Sequence, residues 1–297
     1  MTRLSRLGQA LFRQRALLAF LLILALYGAY VYWRHLQRYV STDDAYVGAH
    51  VIAITPLVSG RVAHVYVHNN RAVRAHSRLF EIGSHAYEIA VRLAQAAVAQ
   101  RQAVLANAEM INRRTHRMAA HQFLSPQASD NSLTEVRADS AALAAAKASL
   151  AQAKLNLAHC LVRAPTAGYL SNMKLQAGAY VRTGNPIFAL IGSKTYWVTA
   201  NFKETALAPI RIGDRAHIHI DMYPNHLFRG KVIGISGGSG TAFSLLPPEN
   251  ATGNWVKVTQ RVPVRILILN PGKAWPLRIG TSASATVFFR TRPRSQR

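Results

Sequence analysis

Twelve histidines and a single cysteine are the side chains most open to a chemical reading. His217 and His219 are two apart, which puts both on one face of a strand, and His64 and His68 are separated by three residues. Two imidazoles can begin a zinc site. A metal centre needs three or four ligands, however, and no Cys, Glu or third His joins either pair at ligand spacing. Surface histidines are therefore the expected reading, with no metal and no cofactor. Cys160 has no second cysteine to pair with, so an intrachain disulfide is excluded. No nucleophile–base pair, phosphate-cradling loop or set of paired carboxylates is present. An envelope enzyme with a β-barrel would have no acid, base or metal set to rest on. Trp197 and Trp255 read as core of the C-terminal β region rather than as a substrate box. The residues point to a protein that works by its architecture.

The central element of that architecture is the stretch from Ser84 to His159. In its second arm Val136, Leu143, Leu150 and Leu157 recur every seven residues, with Ala146 and Ala153 three places after two of them. This is a narrow coiled-coil seam that lets a partner helix come close. The first arm carries the same period on two tracks, Val91, Val98 and Leu105, and Val104, Ile111 and Met118. Between the arms, Ser125 suits an N-cap and Pro126 the first turn of a new helix. Arms of roughly 35 and 33 residues would each span about 50 Å at 1.5 Å per residue. Equal arms and a short break predict an antiparallel hairpin over 84–159.

A duplicated unit flanks the hairpin. Thirteen residues after Gly60, Val73 opens the run VRAHSRLFEI; thirteen after Gly168, Val181 opens VRTGNPIFAL. Pro56 and Pro165 precede the two glycines at nearly the same distance. One β-rich unit therefore occurs twice. Neither copy can bury a core alone, so residues 42–83 and 160–193 are expected to form the halves of one small β-sandwich, with turns at Gly60, Gly168, Gly178 and Gly184. The stretch from Thr42 leads into alternating Val47, Val51, Ala53 and Thr55, as in a strand. Beyond Thr195 short strands alternate with glycine and proline turns, the pattern of a small antiparallel barrel over 194–290. Ala216, Ile218 and Ile220, for example, alternate with His217, His219 and Asp221. A basic tail, 291–297, follows. The fold class is mainly β, with an inserted helical hairpin.

Thirty-six basic residues against twelve acidic ones give a net charge of +24 over 297 residues. The basic residues are spread through every segment, with no helix-turn-helix, zinc finger or aromatic RNA-binding signature. Nucleic acid is set aside, and an anionic membrane surface is the better partner. Residues 16–33, including Ala16, Leu22, Tyr27 and Trp33, form an uncharged apolar run long enough for a spanning helix. The basic segment 1–15, with Arg3, Arg6, Arg13 and Arg15, sets the N-terminus in the cytoplasm. Tyr27, Tyr30, Tyr32 and Trp33 crowd the far end as interfacial aromatics do. A cleaved signal peptide is the competing reading, but no small-x-small site ends the run. No lipoprotein cysteine follows it.

At this point the residues resemble a known family. TDDAYVGAHV after the anchor, PLVSGRV and VRAPTAGYL in the two halves, WVTANFKET, and FSLLPPENATGNWVKVTQRVPVRI from Phe243 to Ile266 are similar to membrane fusion proteins of the HlyD type. These are the periplasmic adaptors of bacterial efflux and secretion systems. Within them the chain is most similar to the EmrA-like multidrug efflux subgroup, and the resemblance covers Thr42 to about Phe289. It implies an anchor, a split lipoyl-like β-sandwich, a coiled-coil hairpin and a β-barrel. The implied role is a tripartite export adaptor joining an inner-membrane transporter to a TolC-like outer-membrane channel, with trimers or hexamers around the duct. A secretion or aromatic-acid efflux system with another pump class is the alternative within the family. The family's tip motif, Arg, three residues, Leu, six residues, Ser, matches Arg114, Met118 and Ser125, with methionine replacing leucine, and implies docking onto the channel. Two departures bear on turn geometry: His76 stands where its repeat mate is Gly184, and Gly83 where an acidic residue is common. A lipoyl or biotin carrier is excluded, since some 75 residues of hairpin replace the lysine turn such a carrier needs. A spanning anchor and an end at the barrel favour a major-facilitator pump. The expected location is the inner membrane, single-pass, with the bulk in the periplasm.

Overall fold

Two 16-residue strands, β1 (Tyr39–Ile54) and β8 (Phe188–Lys203), carry the chain between two units. The structure, a computed structural model, describes residues 26–28, 39–121, 123–243, 258–269, 271–272 and 274–289. One unit spans 51–194; the other combines residues up to 50 with those from 195 onward. Of the apolar run 16–33 only Leu26, Tyr27 and Gly28 are described, and they are helical. Ala16, Leu22 and Trp33 lie outside the described residues, as do Trp255 and most of the run from Phe243 to Ile266. Among the described residues no helix is long and apolar enough to cross a membrane.

In the unit 51–194, β2 (Gly60–Val65) and β4 (Arg78–Ile82) pair within the first half. The halves then interlock. β2 also pairs with β7 (Tyr180–Val181), and β4 with β5 (Leu161–Arg163), in one four-stranded sheet. β3 (Ala72–Val73) pairs with β6 (Gly168–Ser171), which pairs with β8. Val58, Val62, Leu79, Phe80 and Ile82 from the first half meet Ala164, Leu170, Val181, Phe188 and Leu190 from the second in one buried cluster. Removing either half would expose the other's apolar face, which is why the duplicated sequences fold together.

The repeat is visible in single hydrogen bonds, at an offset of 168 − 60 = 108 positions. The Asn70 amide donates to Leu170 O and the Gly178 amide to Val62 O; the His76 amide donates to Ala164 O and the Gly184 amide to Pro56 O. All four residues sit in the left-handed region: Asn70 at φ 61°, Gly178 at 89°, His76 at 63° and Gly184 at 81°. His76 thus preserves the turn that the sequence departure put in question, at the steric cost of a Cβ. Gly168 is required by proximity instead, because a Cβ there would lie 2.2 Å from Ile191 O.

Between β4 and β5 run α1 (His85–Ala120) and α2 (Pro126–His159), packed against each other. The α2 seam is the one read from sequence: Val136, Ala146, Leu150, Ala153 and Leu157 are half-buried and Leu143 is buried. In α1 the track Val91, Val98 and Leu105 faces inward, but Val104, Ile111 and Met118 are 40%, 43% and 47% exposed. The second track is instead Tyr87, Ala94, Ala108 and Thr115, small or polar residues that apolar counting passes over. Ser132 Oγ lies 2.8 Å from Asn112 Oδ1, which sets the register. Counting outward from this bond in an antiparallel pair, Ala153 falls level with Val91, Ala146 with Val98 and Ala108 with Val136. Each large residue faces a small one, so the helices can approach closely.

The other unit is a barrel. β1, β12 (Ser282–Phe288), β9 (Arg215–Ile220), β10 (Leu227–Ile235), β11 (Arg261–Leu269) and β8 pair in that order, and β8 pairs back with β1. Val47, Val198, Phe202, Ile218, Ile220, Val232, Ile266 and Val287 fill it. Among the described residues, only α3 (Glu204–Leu207) and a 3-10 turn (Gly240–Phe243) interrupt the strands. Two sequence expectations change here. Trp197 is not core: its neighbours Tyr196 and Val198 point inward, and alternation turns Trp197 out. Thr42, Ala45 and Tyr46 pair with β12, so the start of the segment assigned to the sandwich belongs to the barrel. The inward face of β1 also shifts between Ala49 and Ile52, so Val51 and Ala53 are exposed while Ile52 and Ile54 turn inward.

Candidate functional site

The end of the hairpin is built by a stop and a start only a few residues apart. α1 closes at His121, whose amide donates to Ala119 O. The Phe123 amide then donates to Met118 O at 3.0 Å, turning the chain. Ser125, in extended conformation, caps α2: its Oγ accepts from the Ala128 amide at 3.4 Å and Pro126 occupies the first turn. The cap expected from sequence is therefore present. That bond is long and leaves the hydroxyl proton free to donate elsewhere.

Around this turn lies an exposed mixed surface. Met110, Arg114 and Met118 are spaced i, i+4, i+8 and form one outward stripe of α1. Arg114 Nη2 lies 3.5 Å from Met110 Sδ, its one partner among the described residues. Arg113 reaches Glu109 at 3.9 Å, and Arg117 Nε donates to Arg113 O at 3.4 Å. Phe123 is 75% exposed and Leu124 37%. Beneath the stripe the seam is polar, with Asn112, Thr115 and Ser132 facing inward. Cationic donors beside thioethers and an aromatic ring suit a protein surface that offers carbonyls or carboxylates next to apolar grooves. Arg114, Met118 and Ser125 all lie at this end of the hairpin. The repeat glycines lie in the β-unit at its base and do not join them.

The histidine pairs do not converge. His64 and His68 are both exposed, and the His217 ring meets Phe288 edge-on at 4.7 Å between centroids. Among the described residues no group of three or more His, Cys, Asp or Glu is arranged to hold a metal ion. Cys160 is 2% exposed, its thiol donates to Asn156 O at 3.6 Å, and burial raises its pKa, with smaller contributions from Glu81 and Glu88. Such a thiol stays protonated and inert. The Tyr87 hydroxyl, raised likewise by burial first, donates to Ser59 O and ties α1 to the β-unit.

Sequence reasoning missed a polar clasp on the barrel. The register of β1 against β12 slips between Thr42 and Ala45, and this bulge re-aims Asp44. Asp44 Oδ1 accepts from Asn201 Nδ2 at 3.0 Å and Oδ2 pairs with Arg261 Nη1 at 3.2 Å. Thr42 Oγ1 and Arg261 Nη1 both donate to Asn201 O. Three of the quoted motifs meet here: TDDAYV, WVTANFKET and, through Arg261, the run VTQRVPVRI that closes the longest of them. Each is a pattern of ordinary polar residues until the strands are closed, so only the motifs themselves could have signalled it.

Comparison with known proteins agrees with this architecture. Residues 195–288 match the AAEA-like beta-barrel domain and residues 90–160 the RND MFP alpha-helical hairpin domain. The chain is 34% identical to the multidrug export protein EmrA of Haemophilus influenzae, across 93% of this chain and 84% of that protein. It is also 34% identical to the probable multidrug resistance protein EmrK of Escherichia coli, across 92% of this chain and 83% of the relative. Among solved structures, a membrane fusion protein from Streptococcus pneumoniae superposes with a TM-score of 0.62 at 17% identity, covering 85% of this chain and 99% of that one. That last likeness speaks for the fold alone.

Proposed function

The chain belongs to the membrane fusion proteins, the periplasmic adaptors of tripartite efflux systems, and from that membership we propose how its parts divide the work. It works between an inner-membrane pump and an outer-membrane channel, as adaptors of this family do, and its bulk is periplasmic. The finer assignments are our reading. Arg114, Met118 and Ser125 form the docking tip for a TolC-like channel. Residues 16–33 anchor the chain in the inner membrane by a single pass, with the N-terminus cytoplasmic. The pump is of the major-facilitator type, in keeping with the EmrA-like motifs, and the adaptor assembles as trimers or hexamers. It performs no chemistry of its own, and the cargo is drugs or small toxic compounds.

One observation carries the docking assignment: the outward stripe Met110–Arg114–Met118 beside the exposed Phe123. An arginine fork with one weak intrahelical partner is available to an external acceptor. Arg114→Asp should abolish export and crosslinking to the channel while leaving helix content and pump binding unchanged. Charge reversal at a docking contact costs several kcal/mol, whereas an exposed helix site barely registers it. Normal export and crosslinking by Arg114→Asp would refute the tip assignment. For the anchor, alkaline phosphatase fused after Arg38 should be active in a membrane-retained product; a soluble, trimmed product would refute the single pass.

A further inference from the structure

Four arginines gather on the β-unit at the base of the hairpin, none of them in an ion pair among the described residues. Arg71, Arg74 and Arg78, with Tyr66, His68 and Ser77, line a cavity of about 350 Å³ that opens to solvent. Arg163 stands directly across from Arg78 in the β4–β5 ladder, and its Nη1 donates to His76 O at 3.1 Å, on the loop that walls the cavity. Like charges directly opposite on paired strands destabilise a sheet. The carboxylate of β4, Glu81, is held by the Tyr66 hydroxyl at 2.5 Å. The two ion pairs among the described residues are Arg113–Glu109 and Arg261–Asp44, so none of these four arginines takes part in one. The loop also enters and leaves through the left-handed residues Asn70 and His76, so its course is fixed by backbone turns as well as by strand pairing.

We propose that this cavity is an oxyanion-binding site, taking a phosphate-bearing ligand whose charge neutralises Arg71, Arg74 and Arg78, the arginines that line it. Guanidinium forks match phosphate oxygens in pairs, and several around one cavity bind far better than a diffuse positive surface. The cavity volume falls at the lower end of small-molecule sites, which suits a compact dianion or a headgroup rather than a large drug. Val67 and Val73 add a short apolar lining for whatever carries the phosphate. The site is independent of the hairpin tip, so its test leaves the adaptor reading untouched.

The ligand's source is either a free phosphorylated compound or a phospholipid headgroup. Titration calorimetry on the full chain in non-ionic detergent, at one fixed salt concentration, separates them. The titrants are inorganic pyrophosphate and monomeric short-chain phosphatidylglycerol, with the phosphatidylcholine analogue as a neutral control. Saturable binding of pyrophosphate or phosphatidylglycerol is expected, and whichever binds tighter identifies the source. The variant Arg71→Gln/Arg74→Gln/Arg78→Gln should bind at least tenfold more weakly. Arg92→Gln/Arg101→Gln/Arg137→Gln, which removes the same charge from exposed positions on the hairpin, should bind as the parent does. Arg74→Gln alone, an exposed single change, should give an intermediate loss should the triple variant fold poorly. Equal weakening by both triple variants would reduce the effect to bulk charge, and the absence of saturable binding by either anion would overturn the proposal.

Discussion

His76 offers a direct test of the duplicated β-unit, because its repeat mate Gly184 makes the equivalent hydrogen bond in the same left-handed conformation. An L-residue in that region costs about 1–2 kcal/mol. Glycine removes this cost but brings back about 0.5–1 kcal/mol of unfolded-chain entropy. The His76 side chain is exposed, so little packing is lost on removing it. His76→Gly should therefore stabilise the unit by about 0.5–1 kcal/mol, from the difference of those two magnitudes. Gly184→Ala has open space around its new Cβ, so the same difference applies with the opposite sign. The double variant should return close to the parent. Hydrogen exchange followed by mass spectrometry across a urea series reads this locally, through the amides of β2, β4 and β6. Stabilisation confined to one half would show that the halves do not share a core. A destabilising His76→Gly would refute the conformational reasoning itself.

Three further outcomes follow from the geometry. Gly168→Ala, with its Cβ 2.2 Å from Ile191 O, should destabilise the β-unit by more than the few tenths of a kcal/mol of an ordinary surface change and lower its protection in β6 and β8. Asp44 and Arg261 are each 42% exposed, so a double-mutant cycle of Asp44→Ala and Arg261→Ala on barrel unfolding should give a coupling of only about 0.5–1 kcal/mol, shrinking with salt. Cys160 should resist N-ethylmaleimide at neutral pH in the folded chain and label on denaturation, since burial both shields it and raises its pKa from the ordinary thiol value; rapid labelling of the folded chain would contradict its place in the core.

Much of the fold was legible because its strongest signals are periodic. The α2 seam, the alternation Ala216–Ile218–Ile220 and the repeat of Gly60 at Gly168 each state a geometry in residue types alone. The failures have physical causes as well. Trp197 is large and apolar, yet strand parity turns it outward, where its ring lies over Gly48 and stacks with Arg265 at 4.8 Å from the ring centroid. Val51 and Ala53 continue an alternation that β1 abandons between Ala49 and Ile52, where the strand leaves one core and enters another. The clasp of Thr42, Asp44, Asn201 and Arg261 depends on a bulge and on barrel closure, neither of which leaves a local pattern.

The misread track in α1 bears most on function. Counting apolar residues every seven positions chose Val104, Ile111 and Met118, whereas the helix turns Ala94, Ala108 and Thr115 toward its partner. Near the base, alanines opposite valines let the helices lie close and bury both. Toward the tip the facing positions become Asn112, Thr115 and Ser132, and Ser132 bonds Asn112 there in place of apolar area. A polar seam there frees Met110, Ile111 and Met118 from the interior, and all three are exposed by more than 40%. Burying apolar surface is favourable wherever it occurs, and these three large side chains leave nearly half of theirs uncovered. A docking partner would bury what remains exposed, and the arginine among them supplies the directional donors that a purely apolar stripe would lack. Exposed apolar side chains also occur near the base, at Ile89, Leu93 and Leu155, so what distinguishes the tip is the arginine fork and thioethers beside the exposed Phe123.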